Sequence, residues 1–320
     1  PYRTLFRSAG VGTGYIGPPK WAGAWFPLEL FGLRGGLTRA AGTAGAVGAQ
    51  VPLSIAVATF SWRPTLLVAA FAGLVLAVML FFIIRNEPPA RGGPRASATR
   101  PAAPIRLAQI LVRRETWLLV LAAGCTGAPI LTFAGLWGVP YFVQVHGLER
   151  ASAASLTSLM LVAWAIGGPL IGGVADRVRS RARLMLLVGL ANRLCWLPFR
   201  LLPTLPLSLA IPLVAVLGLG GGCMIVAFAI VRAVFGSAAA GRALGIVNTS
   251  VLLLGATMQT AFGLLLDQRW SGGLHDGTRV YDAAAFASGF FLFIAAALVV
   301  AGAALALLGA ERQHPGVQRH

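Results

Sequence analysis

The chain has 320 residues, of which 57% are hydrophobic and only 11% charged, and its mean hydropathy is +0.79. A soluble domain of this size carries about 25% charged residues, so a soluble globular fold is excluded. The net charge of +17 lies mostly in short stretches between apolar runs, which ties it to membrane topology rather than to nucleic acid.

Apolar runs recur that are long enough to cross a bilayer core, at about 20 residues each. They lack period-2 alternation, and a backbone in lipid must satisfy its own hydrogen bonds, so the expected fold class is an all-α membrane protein rather than a barrel. Residues 1–8 (Pro1 to Ser8) read like a translated sequencing adapter and are set aside as a non-native scar, with the reading frame expected to be cut at its start. A partial span is read over 9–26, followed by full spans over 36–60 and 65–84. Residues 85–115 carry Pro88, Pro89, Pro94, Pro101 and Pro104 with seven arginines, and are expected to form a cytoplasmic linker between two bundles, ending in a short surface helix near Ile105–Arg114. Six full spans follow, over 116–145, 152–174, 184–203, 206–231, 243–266 and 284–309. The expected organisation is therefore a remnant of an N-terminal bundle over 9–84, the linker, a six-helix bundle over 116–310 and a tail over 311–320.

Basic residues alternate sharply between the two sides of these spans. One set of loops holds 18 Lys and Arg, the other 5 (Arg63, Arg150, Arg200, Arg269 and Arg279). The richer side is expected to be cytoplasmic, which places the C-terminus inside. Cys125, Cys195 and Cys223 all fall within apolar runs and read as buried thiols. No Cys/His cluster has zinc spacing, so neither a metal nor a cofactor is expected.

A faint internal repeat relates the two parts of the chain. A shift of 209 residues superposes Ala24 on Ala233, Phe26 on Phe235, Gly32 on Gly241, Gly36 on Gly245 and Gln50 on Gln259. This register pairs the partial span and its successor with the fourth and fifth spans after the linker, as two six-helix halves in parallel repeat would.

The stretch Gly172-Gly173-Val174-Ala175-Asp176-Arg177-Val178-Arg179-Ser180-Arg181 resembles the loop signature G-x-x-x-D-R-x-G-R-[RK] of the major facilitator superfamily. It departs from that pattern at Arg179, where Gly is usual, and at Ser180, where Arg is usual. Gly135 to Gly147 and Gly241 to Thr249 also resemble bacterial members, as the outer half of a seventh helix and the start of an eleventh. The resemblance implies the end of helix 4 and helices 5 to 12 of a twelve-helix, two-bundle transporter in a bacterial inner membrane. It further implies that Gly172, Asp176, Arg177 and Arg181 form a cytoplasmic gate cluster, and that helices 1, 4, 7 and 10 line the central cavity.

Polar groups at lipid depth are costly and tend to face a cavity or another helix. On that basis the candidate substrate contacts are Lys20, Gln50, Thr132, Trp137, Tyr141, Asn248 and Gln259. Several have a second reading. Tyr141 and Trp137 also fit an interfacial aromatic belt. Gln50, Gln259 and Asn248 also fit helix–helix hydrogen bonds, and Lys20, the one Lys of the chain, also fits a snorkelling anchor. Arg193, near the middle of its span, is read as bonding helix carbonyls or snorkelling rather than touching substrate.

The function expected is secondary transport of a small solute, such as an organic anion or drug-like compound, by a rocker-switch monomer, with a coupling ion as a further partner. Two alternatives stand beside it: a non-transporting membrane sensor of the same architecture, and a polytopic membrane transferase. The transferase needs a His or carboxylate constellation at an interface. His146, His275, His314 and His320 supply none on one helix face, so no enzyme and no catalytic residue is expected.

Overall fold

The computed structural model describes residues 59–83, 107–202, 204–275 and 278–313, with Leu37, Ala41, Gly42, Gly45 and Ala56 as isolated positions. The expected spans over 9–26 and 36–60 and most of the expected linker lie outside the described residues. Among the described residues, seven helices are long and apolar enough to cross a membrane. The first is α1 (Trp62–Ile83), which presents Leu67, Phe71, Phe81 and Phe82 outward.

The linker ends in the short helix α2 (Leu107–Leu111). The start of the next helix fixes it in place. Thr116 Oγ1 donates to the Ile110 carbonyl at 2.5 Å and Trp117 Nε1 to the Leu111 carbonyl at 2.8 Å, while Ile110 itself is fully buried.

Six spans follow, counted here from Arg114. The first, Arg114–His146, consists of α3 (Arg114–Thr132), a π-helical turn (Phe133–Trp137) and α4 (Gly138–His146). The second is α5 (Arg150–Arg177). The third, Arg181–Leu201, joins α6 (Arg181–Leu194) to the short α7 (Leu197–Leu201). The fourth, Leu207–Gly236, contains α8 (Leu207–Gly221) and the first turns of α9 (Met224–Gln268), and α9 continues beyond Gly236 as the fifth span, Ala239–Gln268. A two-residue hairpin, β1 (Leu274–His275) with β2 (Thr278–Arg279), precedes α10 (Ala283–Gln313), the sixth span.

Cross-helix contacts fix the directions. Val120 meets Ser250, Leu131 meets Gln259 and Trp137 meets Gly263, so spans one and five run parallel. Arg113 stands over Phe235, Gly127 faces Met224 and Gly221 faces Ile130, so span four runs antiparallel to span one. The chain therefore turns back at Gly236, whose φ of 64° and ψ of 177° lie outside the helical region. The sequence reading expects a loop between 231 and 243. The structure instead carries helix almost to the reversal on both sides, because a residue without Cβ takes a positive φ at little cost.

Two core clusters divide the bundle lengthwise. The aliphatic one lies toward the arginine-rich end and includes Leu119, Val226, Leu244, Val247 and Leu307. The aromatic one lies at the opposite end, with Phe133, Tyr141, Trp196, Phe199, Phe290 and Phe293. Phe133 sits at its centre, edge-on to Trp196 at 5.4 Å and to Phe142 at 5.9 Å. Such pairs contribute about 0.5–1.5 kcal/mol each, and packing of this kind matters in lipid, where apolar burial gives helices no drive to associate. Spans two and four approach closest. A Cβ on Gly167 would stand 2.1 Å from the Leu219 carbonyl oxygen, one on Gly218 2.3 Å from that of Met160, and one on Gly222 2.2 Å from the Gly167 carbonyl carbon.

Candidate functional site

Span one departs from regular helix twice. Pro129 has no N–H, so the carbonyl four residues back, at Cys125, loses its helical donor. Arg193 of α6 donates to that carbonyl through a guanidinium nitrogen. Above it, the π turn shifts the backbone ladder by one residue, as the Gly138 N–H bond to the Phe133 carbonyl shows. Gln259 of α9 donates from Nε2 to the Leu131 carbonyl at 2.8 Å, and Trp137 donates from Nε1 to the Gln259 carbonyl at 3.0 Å. Trp137 also packs its ring on Phe262, with centroids 5.8 Å apart.

Span four is interrupted as well. The bonds from Gly222 N–H to Leu219 and from Cys223 N–H to Gly220, both 3.0 Å, are the tight i→i−3 type. Between these irregular stretches lies a pocket of about 90 Å³, walled by Leu131 of span one, Trp164 and Gly168 of span two, Met224 and Ile225 of span four, and Asn248 of span five. Asn248 is half-buried, and its carboxamide makes no hydrogen bond among the described residues, so two donors and an acceptor remain for a ligand.

The predicted contacts are thus partly gathered and partly scattered. Trp137 and Gln259 bind each other's helices one layer above the pocket, and Leu131 links the two layers. Thr132 and Tyr141 lie inside the bundle, 0% and 1% exposed, and their hydroxyls have no hydrogen-bond partner among the described residues. Tyr141 is enclosed by Phe133, Phe142, Phe199, Phe286 and Phe290. Lys20 and Gln50 lie outside the described residues.

At the arginine-rich end, Gly172 is buried in α5, Asp176 and Arg177 form its last turn, and the chain becomes extended at Val178. Ser180 caps α6 by accepting the Arg183 N–H at 3.2 Å. Arg177, Arg179 and Arg183 are exposed, while Arg181 is half-buried, with its Nε lacking a hydrogen-bond partner among the described residues.

The opposite end carries a polar cluster that the sequence did not reveal. Arg279 pairs with Asp267 at 2.7 Å and lies 4.6 Å over the Trp270 ring. Tyr281 donates to Asp267 at 2.6 Å, and its own N–H reaches Gln144 Oε1 at 3.0 Å. The Asp267 carboxylate beside Arg279 holds the guanidinium above its usual range. Burial, then the bond to Asp267, raises the Tyr281 phenol. Among the described residues no group of three or more His, Cys, Asp or Glu could hold a metal ion.

A six-span bundle broken at mid-depth around a pocket, with an Asp-Arg loop at one end, defines a multi-pass helical membrane protein. The model of the Major Facilitator Superfamily matches residues 4–260, and the chain belongs to that family of transporters. It is 27% identical over 191 residues to the probable sulfoacetate transporter SauU of Cupriavidus necator, a match covering 54% of this chain and 44% of that protein. The chain thus spans less than half the length of this curated relative. Its fold is that of the fucose:proton symporter FucP of E. coli, with a TM-score of 0.63 at 14% identity over 91% of this chain and 73% of the symporter.

Proposed function

We propose that this chain is the cavity-forming part of a secondary active transporter for a small organic anion, working by a rocker switch between two bundles. The observation that carries the reading is the pocket. It opens between spans one, two, four and five, and its one uncommitted polar side chain is Asn248. The organic-anion class is supported by the sulfoacetate-transporter relative. It is supported too by the absence of Asp and Glu from the pocket lining among the described residues, where no carboxylate stands to repel a negative charge. Asn248 donates its amide N–H groups to the anion. Lys20 and Gln50 contribute from the other bundle, and Trp137 and Gln259 set the shape of the wall. Gly172, Asp176, Arg177 and Arg181 close the cytoplasmic gate, the C-terminus is cytoplasmic, and the protein works as a monomer in a bacterial inner membrane, with residues 85–115 linking the bundles. The protein is a carrier and not an enzyme, and a coupling ion drives uptake.

The test is uptake into proteoliposomes of sulfoacetate and other short sulfonates and carboxylates, with and without an imposed proton gradient. Saturable uptake is expected, with Asn248→Leu raising KM about tenfold, as loss of one polar contact in a desolvated site does. Folded protein that carries none of these anions refutes the proposal.

A further inference from the structure

We propose that Asn192 and Arg193 are positioning residues, holding spans one and four in the broken shapes that make the walls of the Asn248 pocket. The two residues are adjacent on α6 and are 8% and 6% exposed. Consecutive residues on a helix diverge by about 100°, so one α6 turn reaches two different neighbours.

Arg193 reaches span one. Its guanidinium donates to Cys125, the carbonyl that Pro129 deprives of a helical N–H. A bare carbonyl at this depth has no water to turn to, so the Pro129 break keeps one defined shape only while another group supplies the proton. No carboxylate pairs with Arg193 among the described residues, and the charge serves a backbone dipole. Asn192 reaches span four. Its Nδ2 donates to the Leu217 carbonyl at 2.9 Å, in the turn before the tight bonds at Gly222 and Cys223. A Cβ on Gly220 would stand 2.1 Å from that nitrogen, so the carboxamide occupies the space the glycine leaves. Next to the two breaks lie the walls themselves, Leu131 just above Pro129 and Met224 with Ile225 just below Gly222. Neither Arg193 nor Asn192 is among the residues that line the pocket, and both act through the backbone of the two spans.

The bend can be read without substrate, and the proposal rests on the transport reading only for its effect on uptake. Spin labels at Leu121→Cys and Leu136→Cys, both exposed positions flanking Pro129, report the shape of span one in a Cys195→Ser background. Reaction of buried Cys125 and Cys223 with a fluorescent maleimide reports unfolding. Arg193→Met is expected to broaden the label distance and lower Tm by about 3–4 °C. Arg193→Lys, which keeps a donor, retains most of both. Pro129→Ala returns an N–H to Cys125, so Pro129→Ala with Arg193→Met is expected to recover the Tm of Pro129→Ala while giving the longer label distance of a straight helix. Asn192→Leu is expected to raise KM more than it lowers kcat.

The proposal is overturned if Arg193→Met leaves label distance and Tm unchanged, or if the double variant is no more stable than Arg193→Met. Should Arg193→Met fail to fold, a double variant that also fails to fold overturns it. Absence of uptake by the unsubstituted protein, with these distances as expected, refutes the transport reading alone.

Discussion

Gly167→Ala tests whether backbone contact between spans two and four sets the stability of the bundle. The added Cβ would lie 2.1 Å from the Leu219 carbonyl oxygen and 2.7 Å from its carbon. Both are main-chain atoms, so no rotamer change relieves the clash. The helices must part by about 1.3 Å to bring that contact to the 3.4 Å of ordinary packing. Such a displacement pulls Gly218 from Met160 and Gly222 from Gly167 as well, since all three contacts lie along one seam. Overpacking costs typically 1–3 kcal/mol, and a backbone seam belongs at the upper end, about 3 kcal/mol. A chain of this size loses roughly 1.5 °C of Tm per kcal/mol, so a fall of about 4–5 °C is expected in detergent, read by maleimide reaction with the buried cysteines. Gly302→Ala, where a Cβ meets nothing within 4 Å, is the control and is expected to leave Tm unchanged or slightly raised. Equal Tm values for the two variants would refute the seam.

Other outcomes follow from the same geometry. Trp137→Phe and Gln259→Leu each remove one interhelical hydrogen bond, at an average cost near 0.6 kcal/mol, and because both bonds tie span one to the same turn of span five the double variant is expected to cost less than the sum, by thermal melts. Gly236→Ala puts a Cβ at a φ of 64° and ψ of 177°, a region essentially confined to glycine, and is expected to cost about 1–3 kcal/mol; a melt matching the parent would show that the turn does not need that conformation. The raised Tyr281 phenol favours the folded state while protonated, so its contribution is full below about pH 10 and is lost as pH rises further. Tyr281→Phe is expected to flatten the decline of Tm above pH 10, and a decline of equal steepness would place its cause elsewhere.

The spans after residue 107 were legible because apolar length alone marks them, and the structure moves their ends by only a few residues, mostly outward into charged flanks. The breaks were harder to see. Pro129 announces a missing N–H, but nothing in a hydropathy profile says that residue 193 supplies the replacement. That pairing joins positions 68 apart, and the reading of Arg193 stopped at helix carbonyls without naming one. Tyr141 shows the same limit. Periodicity within one segment leaves a belt or a cavity open, while three of the rings that enclose Tyr141, Phe199, Phe286 and Phe290, come from two other spans. Asn248 stood out as a polar residue one to two turns inside a span, but so did Gln259, and only the Leu131 carbonyl separates them. The small residues at 167–168 and 218–222 read locally as tolerated glycines, because a seam exists only once two helices are brought together.

The turn at Gly236 has a mechanical consequence. Met224 and Asn248, on facing walls of the pocket, each lie twelve residues from that glycine, one on either side, or roughly 18 Å along the helix. Spans four and five are then the two blades of a pair of tweezers with a single-residue pivot. A change of about 5° in the angle between them moves the tips by roughly 1.6 Å at that arm length, which is comparable to the radius of a water molecule. With no slack loop at the pivot to absorb it, that motion reaches the pocket walls undiminished.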